Sequence, residues 1–264
     1  PSRRMSALRT IGALTAREML KFVRDRSRVL GALAQPLALW VLLGLGFQNT
    51  FQPPQGSMGG SYVAFLLPGI LALVLLFTAI FSTISIVEER TSGFLQAVLV
   101  APTPRTALVF GTALGGTLLA TVQALLFLGA LPLVDLAPGV AGVGMIVAVC
   151  LLTGLAFTAL GFAIAWRMDT TRGFHAIMNL FLLPLWFLSG AMFPIDGAAP
   201  VLRVVMWANP VSYAVSGLRH GFHGFTNTPG ALAGPGVCLA VTGAFAVLMT
   251  GLAVWQVRRP FFQT

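Results

Sequence analysis

The chain has 264 residues, 57% of them hydrophobic and only 9% charged, with a mean hydropathy of +0.89 and a formal net charge of +9. Soluble domains average about 45–50% apolar and about 25% charged residues, so an ordinary water-soluble fold is excluded. Apolar runs long enough to cross a bilayer recur without alternating, which excludes a β-barrel and defines an all-α polytopic membrane protein.

The first 28 residues are basic and amphipathic. At about 100° per residue, Leu8, Ile11, Leu14, Met19, Phe22 and Val23 share one helix face, and Arg9, Arg17, Lys21, Arg24 and Arg28 the other. Glu18 and Leu20 sit on the wrong faces. The pattern predicts an interfacial helix over 1–28, with its arginines toward lipid phosphates. It does not have the usual form of a cleavable signal peptide. A transmembrane domain is then expected over 29–259. Its six spans are predicted at Val29–Phe47, Tyr62–Val87, Ala107–Leu133, Val140–Trp166, Phe174–Phe193 and Gly236–Val257.

The longest outer segment, 194–235, carries two apolar pieces, 201–207 and 211–222, split by Asn209-Pro210. Each is too short to span, so both are either re-entrant or laid on the outer surface. Fourteen of the sixteen basic residues fall before the first span, after the second and fourth, or after the sixth. Arg203 and Arg219 alone lie on the other side. Both termini are therefore expected in the cytoplasm. The same clustering beside spans argues against a nucleic-acid partner.

No acid or base falls in the middle of a span, which disfavours a proton-driven carrier and, less strongly, a sodium-driven one. The only lysine is Lys21, so the Gly-Lys of a nucleotide-binding loop is missing from this sequence. If ATP drives the protein, another subunit binds it. His175 and Ser189 lie about 21 Å apart along one predicted helix, too far to act as a hydrolase pair. His220 and His223 have no carboxylate or cysteine close by, so no metal site is expected. Cys150 and Cys238 sit inside apolar spans and read as small packed residues.

The charged stretch EERTSGFLQAVLVAPTPR follows the second span. On a helical wheel Phe94, Leu95, Val98 and Leu99 form one apolar stripe after Gly93, and the prolines at 102 and 104 end the helix. A short amphipathic helix over 88–101 is therefore expected in a cytoplasmic loop. Its stripe lies against the membrane or this chain's own helices, or in the groove of a cytoplasmic partner.

Taken together, the basic N-terminal helix, six spans, ERTSGF after the second span, PLWFLSGAMFPID ending the fifth and NPVSYAVSGLRHGF in the outer loop resemble the permease subunit of type-2 ABC transporters. The chain looks most like the drug-resistance and lipo-oligosaccharide exporter branches. The resemblance implies that 88–101 is a coupling helix seated on a separate ATP-binding subunit, which would carry ATP and Mg. Glu88, Glu89, Gly93 and Phe94 match the family's pattern there, with Leu95 and Val98 on the docking stripe. It further implies two permeases, identical or not, with two ATPases in a prokaryotic inner membrane, and a substrate path between the permeases. Asn209, Pro210 and Tyr213 would belong to the helices closing that path outside. Path candidates are Phe77, Phe81, Ser82, Asn179, Phe181, Trp186 and Phe187, a surface suited to a hydrophobic or amphipathic cargo: a drug, a lipid or a lipid-linked glycan. The chain itself would bear no cofactor and catalyse nothing. The competing readings are an ATP-independent carrier or channel and a membrane scaffold that docks a cytoplasmic partner.

Overall fold

The computed structural model describes residues 2–24, 26–47, 62–93, 104–129, 136–225 and 228–258. Among these the regular structure is helical, with no strand. The helices are α1 (Ser2–Arg24), α2 (Arg26–Phe47), α3 (Tyr62–Ser82), α4 (Ile84–Thr91), α5 (Arg105–Phe127), α6 (Val140–Ala165), α7 (Thr171–Phe187), α8 (Pro200–Ala208), α9 (Pro210–His223) and α10 (Pro235–Arg258). Four stretches are long and apolar enough to cross a membrane: α3 with α4, α5, α6 and α10. The apolar part of α2, Pro36–Phe47, and the 17-residue α7 are shorter.

The centre of the bundle is α3, buried on nearly every face, and α6 beside it. Both pack against α5 and α9, and α10 closes the far side of α6. Hydrophobicity alone does not drive such contacts in lipid, so close fit must do so, and small residues provide it. A Cβ on Gly161 of α6 would lie 2.8 Å from the Thr83 hydroxyl, and one on Gly69 of α3 would lie 2.7 Å from Ala191. Gly116 of α5 likewise leaves room for Ser82 and Thr158, and Gly142 of α6 meets the Gly221 carbonyl of α9 backbone to backbone. Deep in the bundle, Thr78 donates to the Gln123 amide oxygen, which joins α3 to α5 through polar groups.

The predicted second span is two helices. The break falls at Thr83, where the backbone N–H bonds Ile80 O at 3.0 Å, three residues back. Three hydroxyls reinforce it by bonding carbonyls three residues earlier: Ser82 to Ala79 at 2.7 Å, Thr83 to Ile80 at 2.6 Å and Ser85 to Ser82 at 3.2 Å. Such local bonds compete with the helical ladder. α4 then runs on to Thr91, past the predicted boundary at Val87, and Gly93 turns the chain with φ +77°. The helix expected over 88–101 is thus not continuous: 88–91 are the last turn of α4, and 94–101 lie outside the described residues.

Other boundaries also shift. The predicted third span ran to Leu133, but α5 ends at Phe127, and 130–133 lie outside the described residues. α7 starts at Thr171, whose neighbour Thr170 caps it by accepting from the Gly173 N–H at 3.2 Å. It ends at Phe187, six residues before the predicted Phe193, because Gly190 takes φ +78° and reverses the chain. In the outer segment the two apolar pieces are α8 and α9, each opened by a proline in its first turn. α9 does not lie on the surface: Val211–Phe222 is buried throughout, inserted among α3, α6 and α10.

Candidate functional site

At the arginine-rich end, α1 lies along α5. Leu14 fills the space left open by Gly111, and Thr15 Oγ1 donates to Gly111 O at 3.3 Å. This contact aims Arg17 at α4, where its Nη2 pairs with Glu89 Oε1 at 2.6 Å. Glu89 is only 7% exposed, whereas Glu88 faces solvent. The sequence placed Arg17 toward lipid phosphates; the structure turns it to a carboxylate, because α1 rests on a helix that carries a glycine at the contact.

The next residue, Arg90, grips a different element. Its guanidinium donates to the carbonyls of Trp166 and Met168, the latter at 3.3 Å, and pairs with Asp169 at 3.3 Å. It also lies 5.8 Å from the Trp166 ring centroid. The tip of α4 is therefore held on one side by α1 and on the other by the α6–α7 turn. Of the six residues expected to meet a partner here, Glu88, Glu89 and Gly93 are placed together at this tip; Phe94, Leu95 and Val98 lie outside the described residues. Arg17 and Arg90 carry the geometry and were not singled out by the sequence. Glu89 and Arg17 lie 72 positions apart, which no local pattern reveals.

The path candidates divide in the structure. Phe77 and Phe81 of α3 are half-buried neighbours with ring centroids 5.6 Å apart, and Ser82 follows them. His175 of α7 stacks on Phe81 at 4.9 Å, and Asn179 lies one turn further along α7, exposed. Phe81 thus meets Phe174 and His175 where α3 touches α7, with exposed Arg172 one turn before His175, whereas the Ser82 hydroxyl turns toward Gly116 of α5. The other three candidates lie elsewhere. Trp186 is 1% exposed and donates from Nε1 to Gly69 O at 2.7 Å, locking α7 to α3. Phe181 and Phe187 are exposed away from the buried stripe Phe174, Met178, Leu182, Trp186.

At the outer end Asn209 is a junction. Its Oδ1 caps α9 by accepting from the Val211 N–H at 2.9 Å. Its Nδ2 donates to Leu185 O at 2.6 Å and Leu188 O at 3.0 Å, satisfying carbonyls at the end of α7. Pro210 begins α9, and Tyr213 donates back to Trp207 O at 3.0 Å, pinning α8 to α9. The polar face of α9 is roofed by residues 228–233. Ser216 Oγ accepts from the Leu232 N–H at 2.8 Å; His220 meets Ala233 O through Nε2 at 2.8 Å and Thr228 Oγ1 through Nδ1 at 2.7 Å. Both ring nitrogens of His220 are thereby engaged. Arg219, between them, donates to the carbonyls of Gly190, at 2.7 Å, and Gly230.

These features define a helical membrane protein with a gripped, acid-bearing tip at its basic end and an inserted helix, α9, at the other. The profile of the ABC-2 type transporter membrane family matches residues 9–223, which include α1 from Arg9, the tip of α4 and the whole α8–α9 hairpin. The chain belongs to this family and is a transport permease, a transporter's membrane subunit. Among its relatives are the putative transport permease ycf38 of Porphyra purpurea, 28% identical over 215 residues, covering 81% of this chain and 74% of that one. Nodulation protein J of Rhizobium leguminosarum bv. trifolii is 31% identical over 203 residues, covering 72% of each chain. The inner membrane transport permease YadH of Escherichia coli K12 is 25% identical over 227 residues, covering 82% and 84%.

Proposed function

We propose that this chain is the permease of an ATP-driven exporter of the drug-resistance and lipo-oligosaccharide type, moving a hydrophobic or amphipathic substrate across a prokaryotic cytoplasmic membrane. Two permeases work with two copies of a separate ATP-binding subunit, which supplies ATP and Mg. The observation that carries the reading is the tip of α4: a buried carboxylate, Glu89, gripped by Arg17 at 2.6 Å, immediately before a glycine turn into an amphipathic segment. A partner seated on 94–101 pushes on a tip that is bonded to α1 and to the α6–α7 turn, so its stroke reaches α7. The cargo path would run beside the α3–α7 contact, where Phe77 and Phe81 adjoin His175 and exposed Asn179 follows on α7, an aromatic surface with a polar edge that suits a cargo with an apolar body and a polar group. A second permease facing it closes the path.

The test is to co-purify the permease from its native membrane with the ATP-binding subunit and to assay ATP hydrolysis and transport together. Glu89→Ala and Phe94→Asp are expected to leave the permease in the membrane while transport falls at least about tenfold per ATP hydrolysed. Normal transport in both variants, or no ATPase bound under mild solubilisation, defeats the reading.

A further inference from the structure

Arg219 stands apart from every other cation in the described residues. It is 2% exposed, and among the described residues no carboxylate pairs with it. Its fork spans two carbonyls from segments distant in sequence, Gly190 after α7 and Gly230 before α10, and its guanidinium carbon lies 4.4 Å from the centroid of the Phe65 ring of α3. Both acceptors are glycines in the left-handed region, with φ +78° and +69°. A Cβ on Gly230 would come within 3.2 Å of Nη1, so the turn is shaped around the guanidinium. One side chain of α9 thus fastens α3, the end of α7 and the lead into α10.

Stability alone does not call for such an arrangement. A buried ion pair replaced whole by apolar side chains is often no less stable, so a buried charge is weak evidence of a purely stabilising role. What the guanidinium adds is a closure that opens without breaking a helix, since both acceptors sit on turns and water can satisfy them once they part. The roof over 228–233 is bonded to the same face of α9 through Ser216 and His220, so the roof and the end of α7 separate only when Arg219 releases one of them.

We propose that Arg219 is the positioning residue that keeps the outer side of the permease shut at rest, a clasp released when substrate leaves. Its role in transport rests on the exporter reading, but its test uses the permease alone, without ATP, so the two can fail separately. Cys238 is the reporter. It is buried beneath α9, next to Gly217, and its thiol donates to Ala233 O at 3.4 Å. Cys150, buried on α6, is the control.

In proteoliposomes, Cys238 in a Cys150→Ala background is labelled from outside with a membrane-impermeant maleimide. Arg219→Met is expected to raise the labelling rate at least about tenfold; because it strands the two carbonyls, a fall of several degrees in the thermal midpoint accompanies it, and Cys150 reports whether the whole fold has loosened. In the Cys238→Ala background, Cys150 stays protected in the same variant. Arg219→Lys keeps the charge but cannot span both carbonyls, and it serves in the same way if the methionine variant does not fold. Protection of Cys238 unchanged in whichever variant folds overturns the clasp. So does a parallel rise at Cys150, which means general loosening rather than an outer opening.

Discussion

The two ends of the molecule hold their arginines by opposite means. At the basic end, Arg17 and Arg90 meet carboxylates, and Asp169 is 88% exposed. At the outer end, Arg219 meets carbonyls and a ring among the described residues, and is 2% exposed. The Arg90–Asp169 pair lies at water, where ion pairs are weak and screened, while Arg17–Glu89 is largely buried. A buried guanidinium shared by two turns resists partial loosening and gives way as a unit. The difference teaches that salt and charge-changing substitutions should act first on the basic end, and the loss of backbone bonds on the outer end.

The comparison breaks most severely at the outer end's tightest point. Gly142→Val places a branched side chain against the Gly221 backbone, driving α9 from α6, and is expected to cost about 3 kcal/mol or more, read as lost yield and a lower thermal midpoint of the purified permease. At the basic end a functional loss is expected with little loss of fold. Glu89→Ala should uncouple hydrolysis from transport, and the swap of Glu89→Arg with Arg17→Glu should restore part of it; no recovery on the swap limits the role of the pair to packing. Smaller still, Arg90→Ala removes two bonds to backbone carbonyls and should destabilise by about 1–2 kcal/mol, whereas Asp169→Ala should leave the unfolding midpoint where it was. Equal effects would mean that the ion pair, not the carbonyl grip, fixes the α6–α7 turn. The smallest effect is that of salt. Raising it from about 0.05 to about 1 M should speed hydrogen exchange in α1 and leave α9 unchanged, as measured by mass spectrometry.

Much of the helical class was legible because runs of apolar residues leave few folds open. The split of the outer segment was legible too, since Asn-Pro announces a cap and a first turn at once. What periodicity cannot tell is which apolar face meets protein and which meets lipid, because the two environments are equally apolar. Trp186 and Phe181 read alike in sequence, yet one is locked to Gly69 and the other is 67% exposed. Arg219 read as one of two stray outer cations; its partners are glycine carbonyls, which leave no charge pattern to find. Arg17 was assigned to lipid because a wheel shows the helix's own faces and not the α5 glycine against which it settles. Residues 94–101 remain a sequence-based expectation.

The break at Thr83 makes the second span a jointed rod. Glu89 stands about 9 Å beyond the joint at 1.5 Å of rise per residue, so each 10° of swing in α4 carries its carboxylate about 1.6 Å sideways. The missing side chain of Gly161 leaves the Thr83 hydroxyl a bare seat on the neighbouring helix. Under the proposed coupling, a push of a few ångströms on the tip would become a rotation of this short arm about Thr83, where α4 bears on α6.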